Sequence, residues 1–232
     1  MVRKLNFFFG KKTEAVYEDS APLRAANYVV VDTELTGLDE RRDSIVSIGA
    51  VRMSGGRIDL GGAFYAMMEP ETALTRDSVV IHGITPSEVS GRPGIGDTMS
   101  GFMDYIGQDI IVGHFVGIDM EFINKEAART VGHKLTNPAV DTYSICRWLA
   151  RHNGGRALPD SHDLYDIAMG MGIPVRGAHN SMMDAFITAQ VFQMLMPRLA
   201  EAGIEDLGEL VELGDPFKGG DRFNRPVDAY CF

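Results

Sequence analysis

The sequence predicts an α/β domain in which a mixed central β-sheet is flanked by helices. Three apolar segments near the amino terminus are joined by short turns, which indicates an antiparallel meander of three strands. The apolar period then changes to that of helices, and one more short strand is embedded among them. This order, in which several strands come first and a further strand then lies between helices, is typical of a layered α/β domain.

The elements are predicted in order along the chain. The strands cover residues 27–34, 45–53, 57–68 and 109–114. Residues 54–56, Ser-Gly-Gly, form the hairpin connection between the second and third strands. The predicted helices cover residues 97–107, 117–132, 140–152, 161–172 and 181–203.

Turn residues divide the chain into three parts. Residues 1–26 are mixed and polar, and we expect an amino-terminal extension there. Residues 27–213 carry the periodic segments and form the expected domain. Residues 214–232 are rich in Gly and Pro, which predicts an irregular tail.

Composition limits the class of protein. The chain has 232 residues, of which 45% are apolar, enough for one substantial core. Cys146 and Cys231 have neither zinc-ligand spacing nor a disulfide pattern, and the apolar stretch within residues 1–12 is too short for a signal or a membrane span. We therefore expect a cytoplasmic protein without membrane contact.

The net charge of −10 argues against nucleic-acid binding by general electrostatics. Lys and Arg contacts to phosphate supply most of such binding. If the ligand is a nucleic acid, we expect the contact to be short or assisted by metal ions.

Two acids lie at the end of the first predicted strand. Asp32 and Glu34 project to the same side, because alternate strand residues share a face. Two carboxylates this close repel each other unless a cation offsets the repulsion, which is typical of a metal site. An Asp-x-Glu pair also arises by chance in a chain of this length, so the pattern alone leaves both interpretations open.

Further candidates are Asp119, His179 and Asp184. Asp119 lies in the first turn of a predicted helix, where the helix dipole also stabilises an acid. We expect Asn180 or Ser181 to be the N-cap of the last long helix, and Ser181 and Asp184 also have the spacing of a capping box. His114 and His179 both precede an acid by five residues. The apolar setting of His114 favours a core histidine, whereas the loop setting of His179 favours proton exchange.

Taken together, these segments resemble the DEDDh (DnaQ-like) 3′–5′ exonuclease superfamily, and most closely its branch similar to the epsilon subunit of DNA polymerase III. The resemblance spans roughly residues 27–200. It implies a fold like that of ribonuclease H and its exonuclease relatives. Its three ordered motifs and two supporting segments are residues 32–51, 110–126 and 177–192, with 81–85 and 138–149.

The resemblance implies roles for individual residues. The metal-binding acids fall on Asp32, Glu34, Asp119 and Asp184, and the general base falls on His179. Two divalent cations, Mg²⁺ or Mn²⁺, are the implied cofactors, and carboxylate oxygens suit both ions. We expect Asp32 to bridge the ions, Glu34 and Asp184 to complete the site of the ion that activates the nucleophile, and Asp119 to reach the second ion mainly through water.

Four further positions are expected to contact the substrate: Leu35, Leu38, Ile81 and His82. Ordinary packing in a core or turn is the alternative for the last three. The chain departs from the family where Leu35 replaces a frequent Thr and Phe115 replaces a frequent Asn.

The implied function is hydrolysis of a nucleic acid from its 3′ end, with release of nucleoside 5′-monophosphates. Single-stranded DNA is the expected substrate, with a role in proofreading or repair. The alternatives are a ribonuclease of the same superfamily and, more remotely, a nucleic-acid-binding module without activity. The tail contains no evident glutamine-led clamp-binding segment, and the resemblance leaves a polymerase partner open.

Overall fold

A five-stranded mixed sheet forms the centre of the computed structural model, which describes residues 17–152, 158–177 and 179–218. The strand order is β3-β2-β1-β4-β5. The strands are β1 (Asn27–Leu35), β2 (Ile45–Ser54), β3 (Arg57–Met67), β4 (Ile110–Gly113) and β5 (Ala139–Asp141). The first three form an antiparallel meander, whereas β4 and β5 run parallel to β1. The predicted fold class is confirmed.

Helices cover both faces of the sheet. Within the described residues the α-helices are α1 (Arg76–His82), α2 (Pro86–Val89), α3 (Ile95–Ile106), α4 (Gly117–Thr130), α5 (Thr142–His152), α6 (Leu164–Gly170), α7 (Ser181–Glu201) and α8 (Leu207–Gly214). The helices α3 to α7 were predicted, whereas α1, α2 and α8 were not. The predicted helix start at residue 140 is wrong, because Val140 and Asp141 pair with β4 as part of β5.

The alternation of side chains along β1 separates two hydrophobic cores. Tyr28 and Val30 pack with residues of α5, α6, α7 and α8 on one face. Val29 and Val31 pack with residues of α3 and α4 on the other face. Because the alternation continues along β1, the side chains that follow at its carboxyl end are also directed to two different faces.

The part of the proposed amino-terminal extension that is described packs against the domain. Leu23 is buried in the core, and its carbonyl oxygen accepts a 2.6 Å hydrogen bond from the hydroxyl of Tyr28. Pro22 forms a β-bridge with Asp206, just before α8. In the described ranges, no helix has the length and apolar character needed to cross a membrane.

Candidate active site

The carboxyl ends of three parallel strands meet at one edge of the sheet. β1 ends at Leu35, β4 at Gly113 and β5 at Asp141. The helices α4 and α5 begin directly after β4 and β5, so their first turns lie at the same edge. In open α/β sheets this edge is the usual position of a ligand site. We call it the catalytic edge.

Three of the predicted acids lie together at the catalytic edge. One carboxylate oxygen from each of Asp32, Glu34 and Asp184 lies within 4.8 Å of the other two. Asp119 lies outside this group, and its Oδ1 accepts a 2.6 Å hydrogen bond from Thr33 Oγ1. The strand alternation explains the division, because Thr33 projects to the face opposite that of its two acidic neighbours.

The approach of α7 to the sheet places Asp184 beside the strand acids. Gly49 of β2 pairs with Asp32, and a Cβ atom at Gly49 would lie 2.3 Å from the main-chain nitrogen of Met182. Only glycine therefore allows the first turn of α7 to pack this closely. Next to this contact, the hydroxyls of Ser47 and Ser181 lie 2.8 Å apart.

The start of α7 decides between alternatives that the sequence leaves open. Asn180 is the N-cap, and its side chain accepts a hydrogen bond from the main-chain nitrogen of Met183. Of the two N-cap candidates, Asn180 is thus the one confirmed, and the capping box that the spacing of Ser181 and Asp184 also allows does not form, because the hydroxyl of Ser181 contacts Ser47 instead. The carboxylate of Asp184 is consequently directed to the catalytic edge.

Burial and mutual repulsion raise the pKa values of the clustered acids. Burial raises the pKa of Glu34 to about 8, and the charges of Asp184 and Asp119 add to the effect. Burial also raises the pKa of Asp119 to about 7 and that of Asp184 to about 6. For Asp32, burial followed by three neighbouring carboxylates raises the pKa well above its usual range.

The two oxygens of Asp184 have different surroundings. Oδ2 accepts hydrogen bonds from Tyr165 Oη at 2.9 Å and from the main-chain nitrogen of Asn180 at 3.2 Å. Oδ1 is buried and has no hydrogen-bond partner among the described residues. A buried carboxylate oxygen without a donor is costly, so this atom is suited to a cation.

Tyr165 joins His179 to Asp184. Its hydroxyl accepts a 2.7 Å hydrogen bond from the main-chain nitrogen of His179, and it lies 3.4 Å from His179 Nδ1. The two rings meet edge to face, with centroids 5.2 Å apart. His179 is exposed and has a φ of 59°, in the left-handed region. Strained backbone of this kind is common at functional sites.

His114 is held differently from His179. Its Nε2 donates to the main-chain oxygen of His162 at 2.8 Å, and its Nδ1 lies 2.9 Å from Thr142 Oγ1. Burial lowers the pKa of His114. Both ring nitrogens are thus engaged, in agreement with the sequence interpretation of a packed, hydrogen-bonded histidine.

Phe115 lies in the left-handed region, with a φ of 55°. Its main-chain nitrogen donates a 2.6 Å hydrogen bond to Asp141 Oδ1, and its ring packs 4.5 Å from that of Tyr143. Asn tolerates this backbone region better than most residues, which accounts for its frequency at this family position. Here the bond to Asp141 and the ring contact hold the phenylalanine before α4.

The four predicted substrate contacts lie in unlike environments. Leu38 is 48% exposed in the turn after β1, whereas Leu35 is half-buried and packs against the α3–α4 core. Ile81 is half-buried at the end of α1. His82 is buried, and its Nδ1 accepts a hydrogen bond from the main-chain nitrogen of Ile84. Its Nε2 has no partner in the ranges that the structure describes.

Sequence reasoning missed three residues of the catalytic edge: Tyr165, Thr33 and Tyr65. Tyr65 is exposed on β3, where it pairs with Gly49, the residue that pairs in turn with Asp32. Thr33 could have been noted from its position between Asp32 and Glu34. Tyr165 offered no signal, because its contacts with His179 and Asp184 depend on how α6 packs against α7.

The donor set is suited to a hard divalent cation. Carboxylate oxygens are the ligands that such ions prefer, and three of them converge here. A cation would also offset the repulsion that raises the pKa values of these acids. Asp184 Oδ1, for which the described residues offer no donor, supports the same assignment.

Comparison with known proteins agrees with this geometry. The model of a family described as "Exonuclease" matches residues 29–192. The DNA polymerase III subunit epsilon of Aquifex aeolicus is 31% identical over 189 residues, which cover 80% of this chain and 89% of that protein. The PolC-type DNA polymerase III of Bacillus subtilis is 30% identical over 193 residues, but this chain spans only 13% of its length.

Solved structures share the fold. Exonuclease I of E. coli, in complex with a dT13 oligonucleotide, superposes with a TM-score of 0.67 at 18% identity. The match covers 76% of this chain and 42% of exonuclease I. Fold and acid cluster together define an α/β domain of the nuclease class. The chain belongs to the exonuclease family, and the resemblance to its DEDDh members similar to the epsilon subunit is confirmed.

Proposed function

We propose that the chain is a 3′–5′ exonuclease that shortens single-stranded DNA and releases nucleoside 5′-monophosphates. The observation that carries the proposal is the convergence of Asp32, Glu34 and Asp184 within 4.8 Å at the edge where β1, β4 and β5 end. An exposed histidine, His179, lies just before α7, five residues ahead of Asp184, and is linked to it through Tyr165.

Asp32, Glu34 and Asp184 would hold divalent cations, with Asp119 contributing from the other side of β1. Two ions, Mg²⁺ or Mn²⁺, would neutralise charge on the scissile phosphate and lower the pKa of the attacking water. The net charge of −10 is compatible with this role, because the charge of the phosphate is offset locally. Loss of any one of these carboxylates removes part of that stabilisation.

His179 would accept the proton of the attacking water. It is exposed, and its main chain is anchored by the hydroxyl of Tyr165. A general base must lie within hydrogen-bond reach of the proton that it takes, and the anchor restricts where the imidazole can lie. Asp184 would be held in a defined orientation by the same hydroxyl.

Leu38 and His82 would contact the terminal nucleotide. Leu38 is exposed next to the strand acids and offers an apolar surface to a base. His82 lies near enough to His179 for the charge of that histidine to lower its pKa further, after burial. Leu35 and Ile81 would shape the same pocket.

The relatives support a DNA substrate and a polymerase partner. The epsilon subunit and the PolC-type relatives are named as parts of DNA polymerase III, and the exonuclease I structure holds a dT13 oligonucleotide. We propose by analogy a proofreading or repair role in the cytoplasm. The buried, unpaired thiol of Cys146 is compatible with a reducing compartment.

The test uses single-stranded DNA and RNA of equal sequence, labelled at the 5′ end. Incubation with Mg²⁺, Mn²⁺ or EDTA should give a ladder that shortens from the 3′ end only when metal is present. Asp184→Ala, prepared in parallel, should give no ladder, because it removes one of the three converging carboxylates. Degradation by the variant at the wild-type rate would point to a contaminating nuclease.

The two substrates separate the alternatives. Faster shortening of DNA supports the proposal, whereas faster shortening of RNA would assign the chain to the ribonucleases of the superfamily. If neither strand is cut although Mn²⁺ binds to the wild-type protein, the exonuclease proposal is wrong for free strands. A binding module would then be the better description.

A further inference from the structure

The outer face of α5 carries a stripe of aromatic and cationic side chains. Tyr143, Arg147 and Arg151 are four residues apart, so they lie on one side of the helix. Arg147 and Arg151 are exposed, and the guanidinium of Arg147 lies 6.0 Å from the centre of the Tyr143 ring. We refer to Tyr143, Arg147 and Arg151 as the α5 stripe.

The α5 stripe begins at the catalytic edge. α5 starts at Thr142, directly after β5, and β5 is separated from β1 only by β4. Neighbouring strands are about 4.8 Å apart, so the start of α5 lies about 10 Å from the strand acids. Phe115, which precedes α4, packs against Tyr143 with ring centres 4.5 Å apart. The two aromatic rings thus join the edge to the stripe.

The two arginines are available to an anionic ligand. Within residues 17–152, 158–177 and 179–218, neither Arg147 nor Arg151 forms a salt bridge. Both line a cavity of about 190 Å³ between α5 and α8. Its wall also contains Lys218 and two acids. Glu212 pairs with Lys218, and Asp215 accepts a hydrogen bond from the main-chain nitrogen of Phe217.

We propose that the α5 stripe binds the phosphodiester backbone of the single strand upstream of its 3′ end. The inference rests on the proposed exonuclease function and deepens it. Tyr143 and Arg151 are eight residues apart, which is about 12 Å along a helix. A stacked strand carries one phosphate per 3.4 Å or so, and the stripe therefore spans about three or four phosphates.

The chemistry of the stripe favours nucleic acid over a protein partner. Unpaired arginines next to aromatic rings are the usual groups for binding a single strand, since they engage phosphates and stack on bases without reading sequence. The surrounding chain is acidic, with a net charge of −10. In such a chain, two neighbouring arginines that form no salt bridge with the described residues would guide the strand towards one side of the catalytic edge.

The test compares two double variants on strands of different length. Arg147→Gln/Arg151→Gln removes the cations of the stripe. The matched control, Arg24→Gln/Arg57→Gln, changes two exposed arginines at the opposite edge of the sheet, where β1 begins. Values of kcat/KM are measured for a dinucleotide, which ends before the stripe, and for a strand of twelve nucleotides.

We expect the ratio of kcat/KM for the long strand to that for the dinucleotide to fall about tenfold in the stripe variant, because two phosphate contacts are lost. The control should keep the wild-type ratio. The slope of log affinity against log salt should also decrease by about 1.4 for the stripe variant, as about 0.7 is expected per single-strand contact.

An unchanged length ratio and salt slope would overturn the proposal and leave α5 as a surface for a protein partner. Failure of the exonuclease function itself is distinguished by equilibrium binding. Fluorescence anisotropy of the labelled twelve-nucleotide strand, measured in the Asp184→Asn background, needs no hydrolysis. Weaker binding on loss of the two arginines would support the stripe even if no strand is cut, and equal binding would refute it.

Discussion

Asp184 and Asp119 reach the carboxyl end of β1 from opposite faces of the sheet, and their surroundings differ. Asp184 comes from α7, shares the 4.8 Å cluster with Asp32 and Glu34, and has one oxygen without a donor in the part of the chain that the structure describes. Asp119 comes from α4, and Thr33 already occupies its Oδ1 at 2.6 Å. The comparison indicates that the α7 side holds a cation directly, whereas the α4 side supplies a carboxylate oriented by the strand.

The largest expected effect compares the two acids directly. Asp184→Asn should lower kcat about a thousandfold, as expected when one preorganised electrostatic group is lost, and it should abolish the tighter Mn²⁺ site. Asp119→Asn should lower kcat about a hundredfold and leave that site intact. Calorimetric titration with Mn²⁺ measures metal binding in both variants. Equal losses of tight Mn²⁺ binding in the two variants would contradict the division between the faces.

The next effect concerns the contact that brings α7 to the sheet. Gly49→Ala should lower kcat about a hundredfold. A Cβ atom there would lie 2.3 Å from the α7 main chain and would shift Asp184. Displacement of a catalytic group by about 1 Å is expected to lower the rate by this factor. Gly101→Ala is the control on the α3 side, where a Cβ atom would have no neighbour within 4 Å. Kinetics and thermal unfolding of both variants test the prediction, and a fully active Gly49→Ala protein would refute it.

A smaller effect is expected from the tyrosine that joins the base to Asp184. Tyr165→Phe should lower kcat about tenfold and weaken Mn²⁺ binding, in the range found for groups that orient metal ligands, with little change in the unfolding temperature. Tyr28→Phe, the control, removes a buried hydroxyl at the other end of β1. It should lower stability and leave kcat unchanged. Similar kinetic behaviour of the two variants would exclude a positioning role for Tyr165.

On the α4 side, Thr33→Val should lower kcat only a few-fold, because it frees Asp119 Oδ1 without removing the carboxylate. Thr188→Val is the matched control, since the buried hydroxyl of Thr188 has no partner in the described part of the chain. That variant should keep full activity and lose no stability. Steady-state kinetics at saturating Mg²⁺ compares them, and a loss for Thr33→Val as large as that for Asp119→Asn would contradict the water-mediated role of Asp119.

The smallest effect is a pH dependence of stability. The folded pKa values of Glu34, Asp119 and Asp184, about 8, 7 and 6, lie above the ordinary values for these side chains. The metal-free folded state therefore holds more protons than the unfolded state, and stability should fall as pH rises from about 5 to about 8. We expect the unfolding temperature in EDTA to decrease by several degrees over this window.

Added Mg²⁺ should restore the unfolding temperature more at pH 8 than at pH 5, because the ion replaces the protons. Asp32→Asn should flatten the dependence in EDTA, since it removes one of the repelling charges. An unfolding temperature that rises with pH in the metal-free wild-type protein would contradict the prediction, because it would show that ionisation of these carboxyl groups does not destabilise the folded state.

Local patterns in the sequence were sufficient for the larger elements. The alternation along β1 predicted that Asp32 and Glu34 share a face, and the helical period placed Asp119 in the first turn of α4. The short elements were not recognised. β5 has three residues and α1 has seven, so neither is long enough to show a period distinct from its surroundings.

The fold class, the order of the main elements and the acids at the strand end could be predicted from the sequence, because strand and helix periods are properties of neighbouring residues. The family resemblance implied that Asp184 shares a site with Asp32 and Glu34, but the contacts that bring these three acids together are visible only in the folded chain. The arrangement depends on Gly49, which lets α7 pack against the sheet, and on Thr33, which hydrogen bonds with Asp119 across 86 positions of the chain. Such contacts join residues far apart along the chain, and no local period encodes them.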